Sequence, residues 1–195
     1  MSETKLFDSD VADVSTFAFH EHRSRARHLE EPGHRDRLVT AARFVTVAAG
    51  MGGKTLSDLG CGDGGLLSLV QERVDAWGYD FCPANAAGWS ERGVKAEALD
   101  VFGADRDKVV LGDITTVTEV LEHLTDPHGA VRWIAERSRY IVASSPHDET
   151  AEHHDECHAW AWDRDGYRAL IGAAGYRVLQ HRDAGRFQVI LGMRM

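Results

Sequence analysis

A glycine-rich segment between a short strand and a helix is the feature that most constrains the fold. It reads Asp-Leu-Gly-Cys-Gly-Asp-Gly-Gly over residues 58–65, after the strand-like start at Thr55 and before a helical pattern at 66–70. Glycine has no Cβ, so the backbone of such a turn can approach a ligand closely. Asp80 ends the next strand-like run, 22 residues after Asp58. An acid at that distance is placed to accept hydrogen bonds from the ribose of a nucleotide-like cofactor.

Strand-like and helical patterns alternate from residue 55 onward, which is typical of an α/β protein. We expect strands at 55–59, 75–80, 94–99, 113–118, 140–144, 176–181 and 187–193, and helices at 66–73, 84–92, 130–137 and 167–174. The link at 182–186 is too short for a crossover helix, so the last two strands should be antiparallel. The sequence therefore predicts a Rossmann-like, seven-stranded, mostly parallel sheet with an antiparallel C-terminal hairpin and helices on both faces.

The first part of the chain is expected to form a helical cap. Residues 1–50 would make this cap or lid, and residues 51–195 the cofactor-binding unit of a single domain. A helical pattern runs from Val14 to Ala49, and Pro32-Gly33 is expected to divide it into two helices. Residues 20–23 (His-Glu-His-Arg), together with His28, are interpreted as part of the lid, the alternative being a solvated helix face.

Composition limits the class of protein. The chain has 195 residues and a formal net charge of −9, which disfavours a broad grip on a nucleic-acid backbone. No apolar run approaches the ~20 residues of a membrane span, and the polar, acidic start is unlike a signal peptide. The cysteines Cys61, Cys82 and Cys157 form no C-x-x-C pair, which is typical of reduced thiols. We therefore expect a cytoplasmic protein with no membrane partner, and nucleic acid is disfavoured as a partner.

Several motifs in order resemble the class I S-adenosylmethionine-dependent methyltransferases over roughly residues 50–195. The segment 58–64 matches that family's first motif, with its G-x-G-x-G spacing, and Asp-Phe-Cys-Pro at 80–83 matches the second. The segment Glu-Val-Leu-Glu-His-Leu-Thr-Asp-Pro at 119–127 is similar to a stretch in the branch that includes the ubiquinone-biosynthesis O-methyltransferases. The resemblance implies a methyltransferase that uses S-adenosylmethionine as its methyl donor.

The same resemblance implies which residues surround the donor. The glycines would form the floor under its amino-acid end, Asp58 would order the loop or meet the ammonium, and Asp80 would accept two hydrogen bonds from the ribose. Asp100 sits where the family places an acid near the adenine amino group, although a solvated turn residue is the alternative. The predicted cofactor-binding set is Asp58, Gly60, Gly62, Gly64, Asp80, Phe81, Asp100, Val101 and Glu119. The acid at Asp63 would repel a pyrophosphate, which disfavours a nicotinamide dehydrogenase.

Histidine is the expected base of the reaction. Transfer to a hydroxyl requires removal of its proton, and histidine titrates near neutral pH. His123, His154 and His158 follow the fourth and fifth strands, whose carboxyl ends should border the ligand crevice. We predict these three as catalytic residues, the alternative being solvated or capping histidines. A non-catalytic cofactor-binding protein is a further alternative.

A divalent metal is a second hypothesis for the same region. Glu119, Glu122 and His123 would share one face of a helix, and His158 could join them to hold Mg²⁺, Mn²⁺ or Zn²⁺. The E-x-x-E-H arrangement resembles the metal site of small-RNA 2′-O-methyltransferases. The leading prediction is methyl transfer to a hydroxyl oxygen of a small molecule. The alternative is a metal-dependent RNA or nucleotide 2′-O-methyltransferase.

Overall fold

The computed structural model describes residues 3–6 and 25–195. Residues 20–23, predicted as part of the lid, and most of the first predicted cap helix lie outside the described residues. That part of the lid hypothesis therefore stays a prediction. Among the described residues, no helix combines the length and the apolar character needed to cross a bilayer.

Nine strands lie in the described part of the chain. They are β1 (Glu3–Lys5), β2 (Thr55–Leu59), β3 (Asp75–Asp80), β4 (Ala96–Ala98), β5 (Ile114–Thr118), β6 (Tyr140–Pro146), β7 (Trp160–Trp162), β8 (Tyr176–Ala184) and β9 (Phe187–Arg194). Seven of them form one sheet in the order β4-β3-β2-β5-β6-β9-β8. Strands β2 to β6 pair in parallel, and β9 is antiparallel to both β6 and β8. The predicted seven-stranded sheet and its terminal hairpin are confirmed.

Helices cover both faces of this sheet. They are α1 (Pro32–Gly50), α2 (Gly65–Val70), α3 (Ala86–Arg92), α4 (Pro127–Ala135) and α5 (Arg164–Ala173). Alternate residues of β6 divide between two hydrophobic clusters: Tyr140 and Val142 join α1, α2 and α3, whereas Ile141 and Ala143 join α4 and α5. Because side chains of a strand alternate between faces, β6 is buried on both sides.

Pro32 begins a helix and does not divide one. It occupies the first turn of the 19-residue helix α1, where its missing N–H has no helical partner to lose and its fixed φ suits the start. Residues 25–31 form no helix. The prediction that Pro32-Gly33 separates two helices is therefore wrong for the described residues.

A two-stranded antiparallel ribbon was not predicted from the sequence. It pairs β1 with β7, and Glu3 lies opposite Trp162. Each strand has only three residues, too few for a clear alternation of apolar and polar positions. The ribbon places the segment before α5 against the start of the described chain.

Candidate active site

A cavity of about 560 Å³ opens at the carboxyl ends of β2, β3, β4 and β5. This volume is within the range of about 300–1,000 Å³ that is common for small-molecule sites. Most of the predicted site residues line it, namely Asp58, Gly60, Gly62, Asp80, Phe81, Asp100, Val101, Glu119 and His123. Four predicted residues do not line it: Gly64, Glu122, His154 and His158. The sheet therefore gathers most of the predicted cofactor site at one edge.

The glycine turn after β2 fits only glycine at two positions. Gly60 has a φ of 71°, and a Cβ there would lie 2.4 Å from Cγ2 of Val120. Gly64 has a φ of 82°, and a Cβ there would lie 2.7 Å from Cγ2 of Val94. Positive φ strains residues with a Cβ, and both approaches are too close for one. Gly60 thus shapes the cavity wall, whereas Gly64 allows the turn to pack against the segment after α3.

Asp80 holds the glycine turn while facing the cavity. Its carboxylate accepts hydrogen bonds from the backbone N–H of Gly62 at 2.9 Å, the N–H of Cys82 at 2.8 Å and Nδ2 of Asn85 at 3.0 Å. Burial raises its pKa, an effect that these three hydrogen bonds oppose. A carboxylate has about four lone-pair sites, so capacity for about one ribose hydroxyl remains, whereas the sequence predicted two such hydrogen bonds.

Asp58 is a buried carboxylate at the end of β2. It is 1% exposed and accepts a hydrogen bond of 2.6 Å from Oγ1 of Thr116. Desolvation raises its pKa to about 7, although Thr116 and the positive charge of Arg37 act in the opposite direction. A charge this costly to bury needs a cationic partner to remain ionised.

Arg37 is a site residue that the sequence analysis missed. It belongs to α1, is 1% exposed, and lines the cavity. Its guanidinium lies 5.3 Å from the ring centre of Phe187. The sequence does contain a signal for this residue, because Arg37 has helical spacing to Ala41, Phe44 and Ala48 and so lies on the same buried face of α1. An arginine within an apolar stripe is rarely buried without a charged partner.

Asp63 is neutralised by arginines of the chain. Its carboxylate lies 3.2 Å from a terminal nitrogen of Arg25 and 2.7 Å from one of Arg92, and its side chain is 3% exposed. Arg92 also pairs with Glu30 at 2.8 Å. Because Arg25 and Arg92 compensate its charge, Asp63 would not repel a pyrophosphate. The reason given from the sequence for disfavouring a nicotinamide dehydrogenase is therefore wrong. Asp63 instead fastens the segment before α1 to the glycine turn.

Asp100 takes part in a turn and also lines the cavity. Its Oδ2 accepts a hydrogen bond from the N–H of Ala104 at 3.1 Å, which stabilises a turn, and the residue also lines the cavity. The structure thus places Asp100 beside the cavity without excluding the turn role.

Glu119 enters the cavity through an unusual backbone conformation. Its φ is 57°, which costs free energy for a residue with a Cβ and is common at functional sites. Oγ of Ser144 donates to its Oε1 at 2.9 Å. Burial raises its pKa, whereas Arg37 opposes this shift. The strained backbone directs this carboxylate at the end of β5, where the sheet opens.

Two of the three predicted catalytic histidines lie side by side. The rings of His123 and His158 are 4.7 Å apart, edge to face, and Nδ1 of His123 donates to the carbonyl oxygen of Cys157 at 3.0 Å. Nδ1 of His158 lies 2.7 Å from Oε2 of Glu149, a residue that the sequence analysis missed. Nδ1 of His154 contacts the carbonyl of its neighbour Asp155, and His154 does not line the cavity.

The helix expected to carry the metal ligands is absent. Only a single 3₁₀ turn forms at Leu121–His123, and Glu119 precedes it in a left-handed conformation. In the described part of the chain, the ligand atoms of His123, Cys157 and His158 lie within 4.8 Å of one another. Among the described residues, no group of possible metal ligands that is this compact contains Glu119 or Glu122. The four predicted ligands therefore do not form one such group in the described residues, and a metal at Glu119, Glu122, His123 and His158 stays a prediction.

Glu122 is nevertheless an unusual residue. It is 0% exposed, and both carboxylate oxygens lack a hydrogen-bond partner within the described residues. Burial and the nearby charge of Glu119 raise its pKa well above the usual value. At neutral pH we therefore expect a protonated Glu122, because an unpaired buried charge would be costly.

The fold and the cavity agree with one known family. A family model described as a methyltransferase domain matches residues 33–181. The chain belongs to this methyltransferase-domain family. The predicted resemblance to class I S-adenosylmethionine-dependent methyltransferases is thereby confirmed.

Two curated relatives share the name ubiquinone biosynthesis O-methyltransferase. The one from Pseudomonas paraeruginosa (strain DSM 24068 / PA7) is 30% identical over 131 residues, which cover 63% of this chain and 56% of the relative. The one from Pseudomonas aeruginosa (strain UCBPP-PA14) is 29% identical over 131 residues, with the same two coverages of 63% and 56%. This methyltransferase chain thus spans little more than half the length of the curated relatives it matches.

Solved structures confirm the fold. The N-methyltransferase NodS from Bradyrhizobium japonicum WM9, in complex with S-adenosyl-L-homocysteine, has a TM-score of 0.70 at 16% identity and covers 91% of this chain and 96% of its own. Magnesium protoporphyrin IX methyltransferase from Synechocystis PCC 6803, with bound S-adenosylmethionine, has a TM-score of 0.68 at 14% identity. The match covers 96% of this chain and 99% of that methyltransferase. At these identities the likeness concerns the Rossmann-like fold.

Proposed function

We propose that this methyltransferase transfers a methyl group from S-adenosylmethionine to a hydroxyl oxygen of a small-molecule acceptor. The observation that carries the proposal is that His123, a base suited to neutral pH, lines the same cavity as the glycine turn and Asp80. The curated relatives are named as O-methyltransferases, which supports an oxygen acceptor.

Opposite charges in the cavity wall suit the amino-acid end of the donor. Arg37 and Asp58 both line the cavity and interact electrostatically. We assign Arg37 to the donor carboxylate and Asp58 to its ammonium, since charge-assisted hydrogen bonds are strong where water is excluded. Ionised Asp58 would then gain the cationic partner that its burial requires.

The remaining wall fits a nucleoside. Asp80 would accept a hydrogen bond from the ribose through its remaining lone pair. Phe81, Asp100 and Val101 follow at the ends of β3 and β4 and line the same cavity, where they would surround the adenine. Gly60 and Gly62 would leave room for the donor beside the backbone of the turn.

The chemistry of the chain's own residues is proton removal, orientation and exclusion of water. When bound, the donor supplies a methyl group already activated by the positive sulfonium. His123 accepts the proton of the acceptor hydroxyl, which increases the electron density on the attacking oxygen. Glu119, on the same wall, orients the acceptor. The cavity wall would hold the reacting groups in line and limit competition from water.

Transfer of a labelled methyl group tests the proposal. Purified protein is incubated with methyl-labelled donor and a panel of phenols, sugars, amines and RNA oligomers, with and without a chelator. We expect label on a hydroxyl oxygen of a small molecule, identified by mass spectrometry. Label on nitrogen alone, or on RNA alone, contradicts the proposed acceptor class. Loss of transfer on chelation, restored by added metal, would favour the metal-dependent alternative.

A further inference from the structure

Glu149 is a buried carboxylate outside the cavity and outside the predicted site. It follows β6, and its side chain is 2% exposed. Its Oε1 accepts from the backbone N–H of Asp155 at 3.1 Å and from a terminal nitrogen of Arg186 at 3.3 Å. These two donors fix the orientation of the carboxylate. The second oxygen, Oε2, is thereby directed to one further partner, Nδ1 of His158 at 2.7 Å.

The contact determines which nitrogen of His158 carries a proton. An ionised carboxylate can only accept hydrogen bonds, so Nδ1 of His158 must be the protonated nitrogen. Nε2, on the other side of the ring, is then the nitrogen left to accept a proton or a hydrogen bond. The His158 side chain is 10% exposed, so bulk water has little part in orienting it.

The same loop also holds the ring that lines the cavity. His123 donates from Nδ1 to the carbonyl oxygen of Cys157, the residue before His158. The ring of His158 packs edge to face against that of His123 at 4.7 Å. The loop backbone and a ring that Glu149 orients thus both contact His123.

We infer that Glu149 is a positioning residue that fixes the tautomer and orientation of His158 and, through this ring and the Cys157 carbonyl, the orientation of His123 in the cavity. This inference rests on the proposed function for its catalytic consequence. Hydrogen-bonded carboxylates orient functional imidazoles in this way, and their loss commonly reduces activity by about 10- to 100-fold.

The test compares Glu149→Gln with wild type and with Glu152→Gln. Glu152 is exposed and lies in the same loop, so it is a matched control for loss of one carboxylate. Nitrogen-15 NMR of labelled histidines reports which ring nitrogens are protonated, and a His158→Gln spectrum assigns the His158 signals. We expect a protonated Nδ1 in wild type and in Glu152→Gln, and a shift towards the Nε2–H tautomer in Glu149→Gln. Unchanged His158 signals in Glu149→Gln overturn the inference.

Kinetics supply the second arm. We expect kcat of Glu149→Gln to fall about 10- to 100-fold, with the acceptor KM and the donor Kd changing less than threefold, and Glu149→Asp to recover part of kcat. A loss confined to donor affinity, or no loss of kcat, contradicts a positioning role. If wild type methylates no acceptor, the proposed function fails, whereas the NMR arm still decides whether Glu149 fixes the His158 tautomer.

Discussion

Asp58 is expected to bind the donor at the expense of stability. Its pKa is about 7 in the folded protein because of burial, against 3.8 as the usual value. A raised pKa of an acid means that the folded state holds the proton more tightly, so stability falls as pH rises from about 4 to 7. The difference of about 3 units corresponds to about 4 kcal/mol above pH 7, at about 1.4 kcal/mol per unit. The side chain in Asp58→Asn cannot ionise, so this variant should recover a large part of the lost free energy of unfolding.

Urea denaturation of the ligand-free protein measures this effect. At pH 8 we expect Asp58→Asn to be more stable than wild type by up to about 4 kcal/mol, and at pH 5 by less than about 2 kcal/mol, since Asp58 is then mostly protonated in the folded state. Calorimetry should show that Asp58→Asn, although more stable, binds S-adenosylhomocysteine at least tenfold more weakly than wild type. Asp36→Asn, an exposed acid on α1, serves as the control with no such pH dependence.

Two results would refute this reasoning. If Asp58→Asn is less stable than wild type at pH 8, the ionised carboxylate is not a stability cost. If the variant binds S-adenosylhomocysteine as tightly as wild type, Asp58 does not meet the donor ammonium.

Three further predictions concern single residues. Arg37→Gln should weaken donor binding about 10- to 100-fold by removing a charge-assisted hydrogen bond. Arg35→Gln, on the exposed side of α1, should not weaken it. Equal affinities of the two variants in calorimetry would contradict the assignment of Arg37 to the donor carboxylate. Gly60→Ala should cost about 1–3 kcal/mol of stability in thermal denaturation, because Gly60 has a positive φ and lies close to the Val120 side chain. The control is Gly172→Ala, which should be neutral or stabilising because the space around Gly172 is open. His123→Asn should reduce kcat about 100- to 10,000-fold with little change in donor affinity. His153, an exposed histidine in the loop after β6, supplies the control His153→Asn, and equal kcat values for the two variants would show that His123 is not the base.

The sheet could be predicted because its signals are local. Short strand-like segments alternate with helical patterns along the chain, and a five-residue link allows only a hairpin. The bounds of β2 and β3 agree with the prediction residue for residue. Helix α4 starts three residues earlier than expected, at Pro127, because Asp126 accepts the N–H of Gly129 at 2.7 Å and caps it.

The catalytic side of the site could be predicted only in part, because it depends on contacts between distant segments. The E-x-x-E-H segment has helical spacing, but β5 ends at Thr118 and the cap at Asp126 starts α4, which leaves only a 3₁₀ turn between them. Glu149 reaches His158 through the loop after β6, and no periodic pattern predicts such a contact. Arg37 and Asp63 each take their role from a charged partner far away in the sequence.

Isothermal titration calorimetry with S-adenosylhomocysteine and with NAD⁺ tests the central claim most directly, since the glycine turn, Asp80 and the Arg37–Asp58 pair are assigned here to an amino-acid-bearing nucleoside. We predict saturable binding of S-adenosylhomocysteine at one site per chain, tightening from pH 6 to pH 8 by about tenfold as Asp58 ionises, and no binding of NAD⁺. Binding of NAD⁺ without binding of S-adenosylhomocysteine would contradict the assignment of this cavity.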